Sequence, residues 1–195
     1  MGTEKIRCSW CKSDKLYQHY HDTEWGVPVY DDAKLFEFLL LETFQAGLSW
    51  ITILRKRENF RNAFDNFDYY KIAQYNNDKI QHLLQDAGII RNRLKVQAAV
   101  TNAQHFIQIQ SEFGSFSTYF WTFSAGKPLV NNPQNLLDIS PTTTLSDTIS
   151  IDLKKRGFRF VGSTTLYAFM QAVGMVDDHV AECWLSQKNL YGIDL

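Results

Sequence analysis

The stretch Leu41-Glu42-Thr43-Phe44-Gln45-Ala46-Gly47-Leu48-Ser49-Trp50 decides how the chain is read. An apolar helix runs into it, Gly47 and Ser49 break the chain, and a new helix starts at Trp50. Asp31 or Asp32 suits the first helix as N-cap, and Leu35, Phe36, Leu39, Leu40 and Phe44 follow at helical spacing. Gly47 suits its C-terminal end. Glu42 is the odd residue, because it closes the run Leu39-Leu40-Leu41. A buried carboxylate costs several kcal/mol unless it is paired or used. Glu42 is read as used, which makes it the candidate catalytic residue.

Working outward, Ser49 caps a helix with Trp50, Ile53, Leu54 and Phe60 inside and Arg55, Lys56 and Arg57 exposed. Residues 8–30 are aromatic-rich and show no clean period. Asp68 and Asn77 read as caps of two short helices, the second stopped by Gly88. Further helices are predicted from Leu94 to Ile109, from Phe116 to Phe123, from Ser146 or Asp147 to Lys154-Lys155-Arg156-Gly157, and from Ser163 to Gly174. Asp177 or Asp178 caps a last helix containing His179 and Cys183. Residues 125–144 hold Pro128, Pro133 and Pro141 and read as a long loop. Strand signals are scarce, so the fold class is all-α, with about nine or ten short helices and no repeat or linker.

Composition excludes several classes. A chain of 195 residues with 45% hydrophobic and 14% aromatic content folds into a core and is not disordered. No run approaches ~18 apolar residues, so no membrane span is expected. The start has no apolar core for a secretory signal, and Ile6 argues against myristoylation. Three cysteines do not make a disulfide scaffold and fit a reducing cytoplasm. The net charge of -1 announces no polyanion partner. Ten of the twenty Lys and Arg residues nevertheless gather in three patches: Arg55-Lys56-Arg57, Arg91-Arg93-Lys95 and Lys154-Lys155-Arg156-Arg159. If they converge they track phosphates; singly, each reads equally well as a solvated helix face.

Three constellations carry chemistry. His179 and Cys183 stand four apart on a predicted helix, hence on one face, and Cys8 and His21 lie near the other end of the chain. Two Cys and two His form a closed tetrahedral zinc set, which is a structural site. The plain alternative is an ordinary His179 and a Cys183 acting as a small buried hydrophobe. Cys8-Ser9-Trp10-Cys11 is a C-x-x-C that reads as a redox pair or as a source of an extra ligand, though no parallel sheet surrounds it. Second, Gly88 to Lys95 joins two helices, and its exposed N–H groups with Arg91, Arg93 and Lys95 suit a phosphate. Third, Trp10, Tyr17, Tyr20, Trp25 and Trp50 fill a core or, beside Glu42, stack a flat, electron-poor ring.

The strings Tyr20-His21-Asp22, Glu24-Trp25-Gly26-Val27-Pro28, Gln45-Ala46-Gly47-Leu48-Ser49-Trp50, Lys56-Arg57-Glu58-Asn59, Asp86-Ala87-Gly88-Ile89-Ile90-Arg91, Lys154-Lys155-Arg156-Gly157-Phe158, Phe160-Val161-Gly162 and Asp178-His179-Val180 carry a resemblance. In order and spacing the chain, from Cys8 to Cys183, resembles the 3-methyladenine DNA glycosylase I family of bacterial base-excision repair. The resemblance implies a helix-hairpin-helix glycosylase fold in a single unit over 1–195. In it, segments 1–30 and 175–195 form a zinc-bound terminal lobe on a helical core, 31–174, with the hairpin near 84–95.

It further implies that Cys8, His21, His179 and Cys183 hold a structural zinc. Glu42, kept ionised, would then share the base pocket with Trp10, Tyr17, Tyr20, Trp25 and Trp50. Gln45, Gly47 and Leu48 would meet the duplex, together with Gly88, Ile89, Arg91, Arg93 and Lys95 of the hairpin. The implied activity is excision of 3-methyladenine from alkylated double-stranded DNA by a monomer, by hydrolysis without strand cleavage, with free 3-methyladenine or adenine as product ligand. Thr43-Phe44 departs from the Gly and smaller or polar residue expected there, and a bulkier pocket wall would follow. A hairpin glycosylase for another lesion, and a catalytically silent zinc-containing DNA- or nucleotide-binding module, stay open as alternatives.

Overall fold

The computed structural model describes residues 5–11 and 14–186; the parts of the terminal segments expected at 1–4, 12–13 and 187–195 lie outside them. Among the described residues are nine α-helices and two very short strands. They are α1 (Lys15–Thr23), α2 (Asp32–Gln45), α3 (Trp50–Ala63), α4 (Tyr69–Ile72), α5 (Asn77–Gln85), α6 (Arg93–Phe113), α7 (Phe116–Thr122), α8 (Thr144–Lys155) and α9 (Ser163–Ala172), with β1 (Leu129–Val130) and β2 (Val176–Asp177).

Helix α2 is the axis of the molecule. Every residue from Leu35 to Phe44 is buried, so the helix is surrounded on all sides, as its nearly continuous apolar sequence requires. Helices α3, α6, α7 and α9 pack around it. Asp31 caps it, accepting from the Lys34 N–H. Asp32 reaches across to a second helix end, where its carboxylate accepts from the N–H groups of Phe116 and Ser117 at the start of α7. Phe44 packs edge-on against Phe60 and Phe64, with ring centroids 4.8 and 5.6 Å away.

Several expectations are corrected. The segment before Val27 is not irregular: Ser9–Cys11 is a 3-10 turn, and Asp14 caps α1 by accepting from Leu16 and Tyr17. Among the described residues the last predicted helix is absent. Val176 and Asp177 instead pair in parallel with Leu129 and Val130, and His179 and Cys183 lie in irregular turns beyond, so helical spacing does not bring them together. The loop 125–144 contributes β1 and a 3-10 turn at Leu136–Asp138. Asn76 rather than Asn77 caps α5, Thr143 caps α8, and Ser49 makes no cap bond but shares a hydrogen bond with Thr52.

Candidate active site

A cavity of about 210 Å³ opens where α1, α2, α3 and α9 meet. Tyr17 and Tyr20 reach it from one face of α1, and Glu42 and Gln45 from the last turn of α2. Both pairs are three apart and so share a helix face. Trp10 comes from the 3-10 turn, Trp25 from the chain after α1, and Trp50 opens α3. The rings form a continuous wall, with centroid distances of 4.7 Å for Trp10–Tyr17, 5.1 Å for Trp10–Trp25 and 5.5 Å for Tyr20–Trp50. The opposite wall was not foreseen: Ile139 of the 125–144 segment, and Ala168 and Gln171 of α9. The only available signal was the three-residue spacing of Ala168 and Gln171, which any core helix shares.

Glu42 is 3% exposed, and its Oε2 has no hydrogen-bond partner among the described residues. The indole Nε1 of Trp50 is also buried without one. Buried polar atoms are nearly always paired, so an acceptor and a donor left over in one cavity mark a place for a polar ligand. Burial alone pushes the Glu42 carboxyl up to about 8. An ionised Glu42 therefore calls for a cationic partner in the pocket to offset its desolvation. Burial and then the Glu42 charge raise the Tyr20 phenol, and burial raises Tyr17 to about 12, so both rings stay neutral donors.

A buried ion cluster fixes the elements that build this wall. Arg57 of α3 donates both terminal nitrogens to Glu24, at 2.7 and 2.8 Å, and its Nε to Glu37 of α2 at 2.7 Å. Lys34 and Arg61 complete it. Glu24 directly precedes Trp25, so the bidentate clamp ties the Trp25 segment to α2 and α3. Arg57 is therefore not part of an exposed basic patch. Its neighbour Arg55 pairs with Asp14.

Behind the aromatic wall lies a second buried group. Cys8 Sγ, a ring nitrogen of His21 and Cys183 Sγ fall within 4.8 Å of one another and can hold a metal ion. His21 Nε2 faces both cysteines, being 3.4 Å from Cys183 Sγ, while Nδ1 lies 2.9 Å from Asp22 Oδ1. His179 lies outside this triplet but beside it, its ring centroid 5.1 Å from that of His21. Its Nδ1 lies 2.7 Å from Asp177 Oδ1, and its buried Nε2 has no partner among the described residues. A carboxylate behind each imidazole holds the proton on Nδ1 and leaves Nε2 with its lone pair for a metal, the arrangement that metal-binding histidines use. The donor types fit zinc. The hydrogen bond between the two thiols holds Cys183 down and Cys8 up, so Cys183 is the sulfur that gives up its proton more readily.

The residues expected to meet DNA divide. Ala46, Gly47, Leu48 and Ser49 are exposed, Leu48 at 41%, and Gly47 takes a φ of +83° that suits only glycine. Gln45 is half-buried and lines the cavity as well. Helices α5 and α6 are joined by residues 86–92, where the Gly88 N–H donates to Asp86 and Asn92 caps α6. Arg91 and Arg93 are exposed there, while Ile89 is buried and offers only backbone. Lys95 is corrected: it is 6% exposed, and its Nζ donates to the carbonyls of Phe44 and Ala46 at 2.8 and 2.6 Å, so it cannot reach a phosphate. In the third patch Arg156 pairs with Glu112 and Asp152, and Lys154, Lys155 and Arg159 stay exposed.

The family model for methyladenine glycosylases matches residues 10–186. The chain belongs to the methyladenine glycosylase family. It is 49% identical over 177 residues to the DNA-3-methyladenine glycosylase 1 of Escherichia coli strain K12, covering 91% of this chain and 95% of that protein. A crystal structure of a 3-methyladenine DNA glycosylase I superposes with a TM-score of 0.91 at 46% identity, covering 93% of this chain and all of that one. Another relative, solved in complex with 3-methyladenine, gives a TM-score of 0.88 at 37% identity, over 91% and 95% of the two chains.

Within this methyladenine glycosylase frame, two expectations drawn from unusual residues resolve. Thr43 and Phe44 do not wall the cavity. Both are fully buried on other faces of α2, where Thr43 donates to the Leu40 carbonyl and Phe44 packs on Phe60. Cys11 is buried, and its thiol is directed to the Cys8 carbonyl at 3.1 Å rather than into the Cys8–His21–Cys183 group.

Proposed function

We propose that this chain is a DNA repair glycosylase that removes 3-methyladenine from alkylated double-stranded DNA and leaves an abasic site. The observation that carries the reading is the aromatic cavity in which Glu42 Oε2 and Trp50 Nε1 both lack partners among the described residues. Adenine alkylated at N3 carries positive charge, so its glycosidic bond is already weak and the base departs neutral without much acid catalysis. The protein has to extract the base, recognise it and admit water. Extraction costs a few kcal/mol of unstacking and unpairing. The rings of the pocket attract a cationic base by roughly 0.5–2 kcal/mol each.

Glu42 supplies the selectivity. In the free pocket at neutral pH it keeps its proton. A cationic base favours the carboxylate, so the proton leaves to solvent and the oxygen accepts from the exocyclic amine. Neutral adenine brings no charge and leaves the buried carboxyl protonated. Leu48, entering the stack from its exposed turn, offsets part of the flipping cost. The 86–92 turn, with Gly88, Arg91 and Arg93, holds phosphates as a DNA-binding hairpin without sequence preference. Among the described residues no lysine lines the cavity, and the one buried lysine, Lys95, is held by two carbonyls. Simple hydrolysis without strand cleavage follows.

We assign Cys8, His21, His179 and Cys183 as ligands of a structural zinc. A closed site of two sulfurs and two nitrogens supplies a cross-link and no reactive water. It ties the described residues of the 1–30 and 175–195 segments into one lobe on the helical core of 31–174, in a monomer working in a reducing cytoplasm.

The test is incubation with methylated duplex DNA, followed by chromatography of the released bases and strand analysis. The expected result is 3-methyladenine in the supernatant and strands that break only after alkaline treatment. Release of a different base assigns a different lesion. Duplex binding without release overturns the enzyme in favour of a silent binding module.

A further inference from the structure

Two turns are held by lysines that come from each other's helices. The first turn, residues 46–49, leads into α3, and the second, residues 86–92, leads into α6. Lys56 of α3 sends its Nζ to the carbonyls of Ala87 and Gly88, both at 3.0 Å, and Asn59 adds a bond to Gly88 at 3.3 Å. Lys95 of α6 sends its Nζ back to the carbonyls of Phe44 and Ala46. The last carbonyls of α2 have no intrahelical partners, and an ammonium at that end also meets the negative pole of the helix. Among the described residues Lys95 is the one buried lysine, and a buried ammonium without a carboxylate is expensive unless its position is used.

We propose that Lys95 is a positioning residue that sets the spacing between the hairpin turn and the Gln45–Ser49 turn. DNA held at 86–92 is thereby presented in register to Gln45 and Leu48. The inference rests on the glycosylase reading above. Glu42 is two residues before Phe44, and the cavity wall of α1, α2 and α3 is fixed separately by the Arg57 cluster. Lys95 therefore governs delivery of the lesion, and of the cavity lining only Gln45 lies on the turn that it holds.

The experiment compares Lys95→Met and Lys95→Arg with the unaltered protein. Four readouts are taken: affinity for free 3-methyladenine by tryptophan fluorescence, kcat/KM on methylated duplex DNA, the thermal midpoint, and backbone amide exchange. In Lys95→Met we expect kcat/KM to fall roughly 10- to 100-fold with free-base affinity within about threefold, since small misplacements far from the chemistry have effects of that size. Exchange should rise at residues 46–49, and Lys95→Arg, which keeps charge and donors, should recover most of the loss. Equal losses in free-base affinity and DNA turnover, or unchanged turnover, would overturn the proposal. Should Lys95→Met not fold, Lys56→Met reads the same spacing from the other turn, with the same split expected. If the unaltered protein releases no base, the glycosylase reading fails, and the exchange at 46–49 still decides whether Lys95 holds that turn.

Discussion

The indole of Trp25 stands edge-on against the imidazole of His179, with ring centroids 4.6 Å apart. His21 lies nearly parallel to the same indole at 6.1 Å and edge-on to Trp10 at 5.3 Å. The aromatic wall of the base cavity and the cluster of metal-type ligands are thus two sides of one layer. Whatever orders the cluster also orders the wall.

Replacing His179 by Ala removes one proposed zinc ligand and the ring behind Trp25. Zinc content measured on the purified variant is expected to drop below one per chain, with a lower thermal midpoint and weaker binding of free 3-methyladenine. One zinc per chain retained in the variant would remove His179 from the ligand set.

Gly26 has a φ of +77°, and a Cβ there would meet His179 Cε1 at 2.8 Å. Gly26→Ala is expected to destabilise by about 1–3 kcal/mol from backbone strain alone, and by more from the clash. Thermal unfolding beside a Gly114→Ala control gives the comparison. Gly114 has a φ of +85° but nothing within 4 Å of its Cβ position, so it isolates strain from clash. Equal losses in the two variants would show that His179 does not press on Gly26.

Glu42 makes a prediction with a definite sign. Its folded value of about 8 lies above the unfolded value of roughly 4.3. The neutral carboxyl suits the fold, so its stabilising effect is full below the unfolded value and is lost as pH rises to about 8. The ligand-free protein should therefore lose thermal stability across that window, and Glu42→Gln should remove most of the slope and unfold at a higher temperature near pH 8. Removal of a partner for the cationic base should lower release from methylated DNA by roughly 10- to 100-fold, as for loss of one charge-assisted contact. A variant with the same pH slope as the parent, or with undiminished release, sinks the assignment.

Leu48 is exposed on a turn and contributes little to the core. Leu48→Ala should change stability by no more than about 0.5 kcal/mol. It should leave free-base affinity intact and slow excision from duplex DNA more than from single strands, where no stack has to be filled. Equal effects on both substrates would argue against insertion.

How far these features were legible depended on whether their signal was local. The 3.6-residue pattern of α2, the caps at Asp31 and Asp68, and Glu42 ending a leucine run are properties of a few adjacent residues, and they were readable. The final helix was misread because Asp177 and Asp178 look like caps, whereas both carboxylates serve tertiary partners: Asp177 the His179 ring, and Asp178 the side chains of Tyr167, Gln171 and Asn131. Lys95 and Arg57 looked like patch members because charge is visible in a sequence and burial is not. Their partners lie 51 and 33 residues away. Ile139, Ala168 and Gln171 gave no chemical signal at all, since apolar and amide groups are ordinary in loops and helices.

The joining of Cys8 and His21 to Cys183 also sets an order of events during synthesis. A ribosome makes Trp10, Trp25 and Glu42 early, and α2 can begin to bury its apolar faces as soon as α3 and α6 emerge. His179 and Cys183, on which the Trp10–Trp25 wall leans, arrive more than 150 residues after Trp25. Until then the nascent chain exposes a ring of tryptophans with no backing. A truncation just before residue 176 would be helical and yet unable to hold a base, and the recognition surface is completed only when the chain folds back on its own beginning.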